Sequence, residues 1–210
     1  MKPMNYDEYE YIADNIFAPI YDIIVDDILK ETGFKEGRFM DIGTGGGHLG
    51  LTIAKRTNQK GVLIDINPEA VERTMKRADD WNIFHRVEAL PADISMLPFR
   101  DHCFKLIVSR GSMQFWTDYD KAFNEIYRTL KPGGYAYIGG GMGNKELAEK
   151  IEKQMEAIGK GKDRPDSQRR GNNLSTDEYL EYINKYDWDV KVIPKELGKG
   201  RWFVLHKKEN

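Results

Sequence analysis

The residues best suited to chemistry form one short run, Met40-Asp41-Ile42-Gly43-Thr44-Gly45-Gly46-Gly47. An acid stands two residues before the first of several glycines, at the end of a short apolar segment. Glycines there let the chain turn tightly and let a ligand approach the backbone more closely than any side chain would allow. A second acid, Asp65, closes the apolar run Gly61-Val62-Leu63-Ile64 and is followed by Ile66. A third lies in Ala92-Asp93-Ile94. The fourth feature is Ser109-Arg110-Gly111-Ser112, with Met113-Gln114-Phe115-Trp116 behind it.

Each of these suits a different part of one ligand. A dinucleotide site opens directly with glycines that receive a pyrophosphate. Here a carboxylate precedes them, which suits a cationic amino acid and points to S-adenosylmethionine (SAM) rather than NAD. The glycine turn should open a helix whose first N–H groups and dipole can receive the ligand's own carboxylate. A literal G-x-G-x-x-G runs from Gly45 to Gly50, but it starts too late after the strand to be the dinucleotide fingerprint. Asp65, about 20 residues beyond the glycines, can accept from both ribose hydroxyls. The alternative, capping the next helix, falls better to Asn67. Asp93 can take the adenine amino group while Ile94 packs on the ring, or it is simply a turn aspartate. Arg110 can hold a carboxylate or phosphate bidentately, or it can partner Asp41 or a backbone carbonyl. Phe115 and Trp116 either wall a substrate pocket or pack the next helix.

These residues need elements to bring them together. Apolar strand candidates fall at 38–42, 61–65, 86–90, 104–109 and 134–139, alternating with helix candidates near 47–57, 68–81, 119–130 and 144–158. Strands alternating with helices imply a mostly parallel sheet covered on both faces, with the strand C-termini and the ligand along one edge. Asn67-Pro68-Glu69 is a helix start, and Lys131-Pro132-Gly133-Gly134 is a stop and turn. Isoleucines at 12, 16, 20, 23, 24 and 28 recur at helical spacing up to Gly33. Residues 1–35 therefore read as an N-terminal helical cap, either core-facing or closing its aromatics, Tyr21 among them, over a ligand. The core spans 36–143. The remainder, 144–210, carries a polar loop at 159–173, a helix from Ser175, and strands near 188–193 and 201–207. The last two suggest an antiparallel hairpin at the sheet edge. The expected fold is thus a Rossmann-like, doubly wound, seven-stranded sheet in one domain, with an antiparallel C-terminal edge strand.

Composition bounds the function. The 210 residues carry a formal net charge of −2, with 40% hydrophobic and 31% charged residues. Such a balance gives no general attraction to nucleic acid or an anionic membrane. The single cysteine, Cys103, forms no disulfide framework and no Cys-rich metal site. The four histidines, His48, His85, His102 and His206, are scattered without metal-ligand spacing, and no metal is expected. No apolar run reaches a membrane span of about 20 residues, and the N-terminus lacks a basic-then-apolar signal pattern. A reducing cytoplasm is the expected location.

Residues 36–139 resemble the class I SAM-dependent methyltransferases throughout, including Leu97-Pro98-Phe99 and Leu130-Lys131-Pro132-Gly133-Gly134. The resemblance implies that Gly43–Gly47 hold the methionine part of the cofactor, Asp65 the ribose and Asp93 the adenine. The cofactor set is then Asp41, Gly43, Thr44, Gly45, Gly47, Asp65, Ile66, Asp93, Ile94 and Arg110. Lys105 departs from the family's usual aspartate, at the strand start away from the ligand edge. Arg110-Gly111-Ser112 with Phe115-Trp116, and Gly139-Gly140-Gly141-Met142-Gly143-Asn144, look like a subgroup from archaea and anaerobic bacteria.

For the acceptor, the residues expected are Tyr21, Arg110, Trp116 and Gly141. The second glycine turn either allows close approach of a substrate or is a tight connector. Methyltransferases acting on exocyclic base amines usually carry an (N/D)-P-P-(Y/F) motif where this chain has Ser109-Arg110-Gly111-Ser112, which disfavours that class, and a charge balance that is not basic disfavours nucleic acid. A lone cysteine argues against thiol-relay chemistry. No residue stands out as a general base, so the reading is transfer to a small molecule by in-line displacement, governed by alignment. RNA- or protein-directed transfer, an NAD-dependent oxidoreductase and a non-catalytic SAM-binding protein are the alternatives.

Overall fold

A computed structural model describes residues 6–160, 174–194 and 200–209. Most of the loop expected at 159–173, and the connection between the last two strands, lie outside the described residues.

The chain begins with two helices, α1 (Tyr6–Asn15) and α2 (Ala18–Thr32). In α2, Ile20, Tyr21, Ile24, Val25 and Ile28 are buried at helical spacing, and a proline sits in the first turn. Gly33, in the left-handed region at φ 62°, ends it by donating to the Leu29 carbonyl. Ile20, Ile24 and Ile28 are at most 2% exposed, and burying each contributes roughly 1.5–3 kcal/mol. That apolar stripe, not local propensity, docks the helix.

Strands and helices then alternate: β1 (Phe39–Ile42), α3 (His48–Thr57), β2 (Gly61–Asp65), α4 (Pro68–Asp80), β3 (Val87–Pro91), β4 (Phe104–Arg110), α5 (Tyr119–Thr129) and β5 (Leu130–Gly140). Asn67 caps α4 by accepting from the Glu69 N–H at 2.9 Å, as its position after β2 led one to expect. The chain closes with α6 (Lys145–Ala157), α7 (Thr176–Ile183), β6 (Trp188–Ile193) and β7 (Arg201–Lys207). Ser175 and Glu178 form a reciprocal capping box at the start of α7.

The seven strands lie in the order β3-β2-β1-β4-β5-β7-β6. All pairs among β1 to β5 are parallel, while β7 is antiparallel to both β5 and β6. The C-terminal hairpin does sit at the sheet edge, but its last strand turns inward. Strand β7 inserts between β5 and β6, so β6 is the outermost strand and β7 the antiparallel one. Strand β5 also pairs earlier than its sequence suggests: Leu130 opposes Phe104, and the register shifts before Tyr135 opposes Leu106. The Lys131–Gly134 segment is a bulge within the strand rather than a turn before it.

Alternate strand residues feed two cores. Phe39, Leu63, Leu106, Val108 and Tyr137 pack with α2 and α3 on one face. Met40, Ile64, Ile107 and Ile138 pack with α5 and α7 on the other. From β1 the chain winds outward to β3 and then crosses back to β4 on the other side of β1. The crevice between the β1 and β4 tips is therefore the topological switch point, where open α/β sheets bind ligands. No helix among the described residues is long and apolar enough to cross a membrane.

Candidate active site at the β1–β4 crevice

Asp41, near the tip of β1, is 1% exposed. Its Oδ2 accepts from the Thr44 hydroxyl at 2.8 Å and from the Gly50 N–H at 2.9 Å. Burial pushes its acid up to about 7, those two hydrogen bonds pull it down, and the nearby Asp65 carboxylate adds to the rise. A buried carboxyl so placed gains from a cationic ligand, which would relieve the cost of its charge.

The β2 tip reaches across to the glycine turn. Asp65 Oδ2 accepts from the Gly45 N–H at 2.9 Å and Oδ1 from the Asn67 N–H at 3.0 Å. These use two of the roughly four acceptor positions of a carboxylate. The next residue, Ile66, is 73% exposed, an apolar side chain left in solvent beside a polar tip. Asp93 is exposed and accepts from the Ser95 N–H at 2.8 Å, while Ile94 is half-buried against the second core. Helix α3 starts on Gly47 with no side-chain cap, so its dipole faces the turn. A carboxylate with free acceptor positions, an exposed aliphatic side chain and an uncapped helix start thus lie along one edge of the sheet.

The β4 tip is sewn to the β1 tip. The Ser109 and Ser112 hydroxyls share a 2.6 Å hydrogen bond, and both oxygens lie within reach of the Ile42 carbonyl at 3.0 and 3.1 Å, so one donates to its partner and the other to the carbonyl. A Cβ on Gly43 would fall 2.3 Å from the Ser112 Cβ, and Gly43 has φ 66°. Glycine is required there by Ser112 as much as by any ligand. Trp116 is only 6% exposed, donates from Nε1 to the Ser112 Oγ at 3.3 Å and packs on Phe123. Its neighbour Phe115 is the exposed aromatic of this turn.

Arg110 does not partner Asp41. Its Nε donates to the Gly141 carbonyl at 3.2 Å, and its guanidinium lies 5.3 Å from the Phe17 ring and 5.4 Å from the Tyr21 ring. Tyr21 is buried and stacks on His48 at 4.9 Å. The cap is thus joined to the β4 tip and to α3 through one column of flat groups. The second glycine turn has a different origin. A Cβ on Gly139 would meet the Arg201 carbonyl at 2.2 Å, and one on Gly200 the Gly140 carbonyl at 2.0 Å. The close approach here is between the β5 and β7 backbones.

The family profile of the methyltransferase domain matches residues 34–186. The chain belongs to the methyltransferase-domain family. A structure from Methanococcus maripaludis, described as a candidate SAM-dependent methyltransferase, is 34% identical with a TM-score of 0.84, covering 98% of this chain and 93% of that one. A SAM-dependent methyltransferase from Aquifex aeolicus has the same fold, with TM-score 0.70 at 19% identity over 97% and 98% of the two chains. The ubiquinone/menaquinone biosynthesis C-methyltransferase UbiE of Rickettsia prowazekii is 27% identical over 133 residues, 61% of this chain and 54% of that protein. The chain spans about half the length of the curated relatives it matches. The class I fold and SAM as cofactor, both expected from the glycine turn and the strand-tip acids, stand.

One set of contacts beside the candidate site was not visible in the sequence. Arg77 on α4 donates to the Gly46 carbonyl and, through Nη2, to both oxygens of Asp14 on α1 at 2.9 and 3.0 Å. Glu10 accepts from the same nitrogen at 3.1 Å and also pairs with Arg73. His48 Nε2 donates to Asp14 at 2.7 Å. Burial, then the Arg77 charge, depresses the His48 basicity, with Asp14 opposing. These contacts clamp the cap onto the β1–α3 glycine turn. They join residues more than 30 positions apart, and no local pattern announces such pairs.

Proposed function

We propose that this chain transfers the methyl group of SAM to a small-molecule acceptor held between the N-terminal helices and the tips of β4 and β5. The observation that carries the reading is the column Phe17–Arg110–Tyr21–His48, which puts the cap beside the glycine turn and over the crevice. The UbiE relatives are named for methylation of a small molecule at carbon, which favours the same class of acceptor.

In this reading Asp41, Gly43, Thr44, Gly45 and Gly47 hold the amino-acid end of the cofactor, Asp65 with Ile66 the ribose, and Asp93 with Ile94 the adenine. When bound, SAM supplies an electrophilic methyl group on a sulfonium. The protein's part is orientation, which can lower a barrier by roughly 7–11 kcal/mol. Tyr21, Arg110 and the Gly141 turn border the acceptor space; Arg110, counted in the cofactor set from the sequence, is here assigned to the acceptor alone, because it turns to Gly141, Phe17 and Tyr21. Trp116, packed beneath Ser112, shapes it from below. The described residues hold no cluster of metal-ligating side chains.

The test is incubation of the protein and methyl-labelled SAM with a fractionated cell extract. Label in a small-molecule fraction is expected. Label confined to RNA or protein would overturn the reading in favour of a macromolecular acceptor.

A further inference from the structure

Arg110 is a cation at the mouth of the crevice without a carboxylate partner among the described residues. Arg38, Arg56, Arg73, Arg77 and Arg128 each pair with an acid. Arg110 instead has two rings beside its guanidinium, Phe17 between α1 and α2 at 5.3 Å and Tyr21 on α2 at 5.4 Å. One edge of its guanidinium is also used: Nε donates to the Gly141 carbonyl and Nη2 lies 3.8 Å from the Met142 sulfur. A guanidinium has a second two-pronged edge, formed by Nη1 with Nη2, and this one has no acceptor among the described residues. A guanidinium edge takes an oxyanion in the plane of the group, through two parallel N–H donors.

The surroundings suit a ligand. Arg110 stands in register with Gly139 of β5, and the residue after it, Gly111, has φ 70° with nothing within 4 Å of a Cβ placed there. The space at Gly111, the next residue in the chain, is open. Arg110 lies on the cap side of the crevice, while the glycine turn and the start of α3 already present donors for the cofactor's own carboxylate.

We propose that Arg110 anchors an oxyanion, a carboxylate or phosphate, carried by the methyl acceptor. The proposal rests on the methyltransferase reading above. A planar or tetrahedral oxyanion fills the free edge with two charge-assisted hydrogen bonds. Because the rings and the Gly141 carbonyl fix the guanidinium, that contact sets the acceptor's orientation as well as its affinity.

The experiment uses the full chain saturated with S-adenosylhomocysteine, titrated calorimetrically with benzoate and with inorganic phosphate. The variants are Arg110→Gln and Arg110→Lys. At least one probe should bind the wild-type complex, with affinity lost at least about tenfold in Arg110→Gln. Arg110→Lys keeps the charge but not the fork, so it should fall between the two. S-adenosylhomocysteine itself should bind all three proteins within about threefold, which also reports that they are folded. Equal probe binding by Arg110→Gln and wild type, or no binding to wild type, would overturn the proposal. So would loss of S-adenosylhomocysteine affinity in Arg110→Gln with 5′-methylthioadenosine unaffected, since the anion would then be the cofactor's own. Failure of the wild type to bind S-adenosylhomocysteine at all would instead strike the methyltransferase reading beneath it.

Discussion

Arg77 and Asp14 share a hydrogen-bonded ion pair in which one guanidinium nitrogen reaches both carboxylate oxygens, at 2.9 and 3.0 Å. The other terminal nitrogen of Arg77 holds the Gly46 carbonyl. One side chain therefore links the first helix of the cap to the β1–α3 glycine turn. Anything that orders the turn also favours the docked cap, and the reverse holds by linkage.

Replacing Arg77 with Met should loosen both ends of that link. The Asp14 side chain is 45% exposed, so water offsets much of the loss, and the expected cost is about 1–2 kcal/mol of stability. In hydrogen exchange, ordering of α1 on S-adenosylhomocysteine binding should be clear in the wild type and weak in Arg77→Met. Identical protection of α1 in both proteins would show that cap and turn are independent.

Asp65 bridges the glycine turn and the start of α4 while keeping acceptor capacity for a ribose. Asp65→Ala should weaken S-adenosylhomocysteine binding at least about tenfold by calorimetry, the scale of a lost charge-assisted pair. Unchanged affinity would remove Asp65 from the ribose site.

The buried Asp41 makes stability depend on pH. Its acid is raised from the ordinary 3.8 to about 7 in the folded protein, so between these limits the folded chain holds a proton that the unfolded chain has released. Its contribution is complete below about pH 4 and is lost as pH rises through about 7, a fall on the order of a few kcal/mol. Asp41→Asn should flatten urea-unfolding stability across that window. A wild-type profile that instead rises from pH 4 to 7, with no difference in the variant, would refute the assignment.

Gly43 is hemmed in by Ser112. Gly43→Ala places a Cβ in that side chain and in a left-handed backbone conformation, and should cost roughly 2–3 kcal/mol. Adding Ser112→Gly should recover part of this in a double-mutant cycle. A cycle with no coupling would mean that the turn relaxes away from β4.

Much of the fold was legible because its signals are local. Alternating apolar runs, the Asn67-Pro68 start of α4 and the Ser175–Glu178 box each act within a few residues. The β1–α3 turn was legible because its acid, its glycines and the apolar strand before them follow one another directly in the chain. The second glycine turn shows the limit of that logic. Gly139 answers to a strand that arrives much later in the chain, and a sequence does not print its own strand neighbours. Trp116 illustrates the same limit for aromatics, since its burial beneath Ser112 follows from how α5 packs and not from its spacing.

The sequence by itself determined the parallel sheet, the glycine turn with its preceding acid, and the acids at the next two strand tips. All of these are set by backbone geometry within one strand–turn–helix unit. Only the tertiary structure decided that Arg110 faces the cap rather than Asp41, that Arg77 and Asp14 tie the cap to the turn, and that β7 lies inside β6. Those outcomes depend on charges, rings and backbones far apart in the chain, and they meet only once the two cores have been buried.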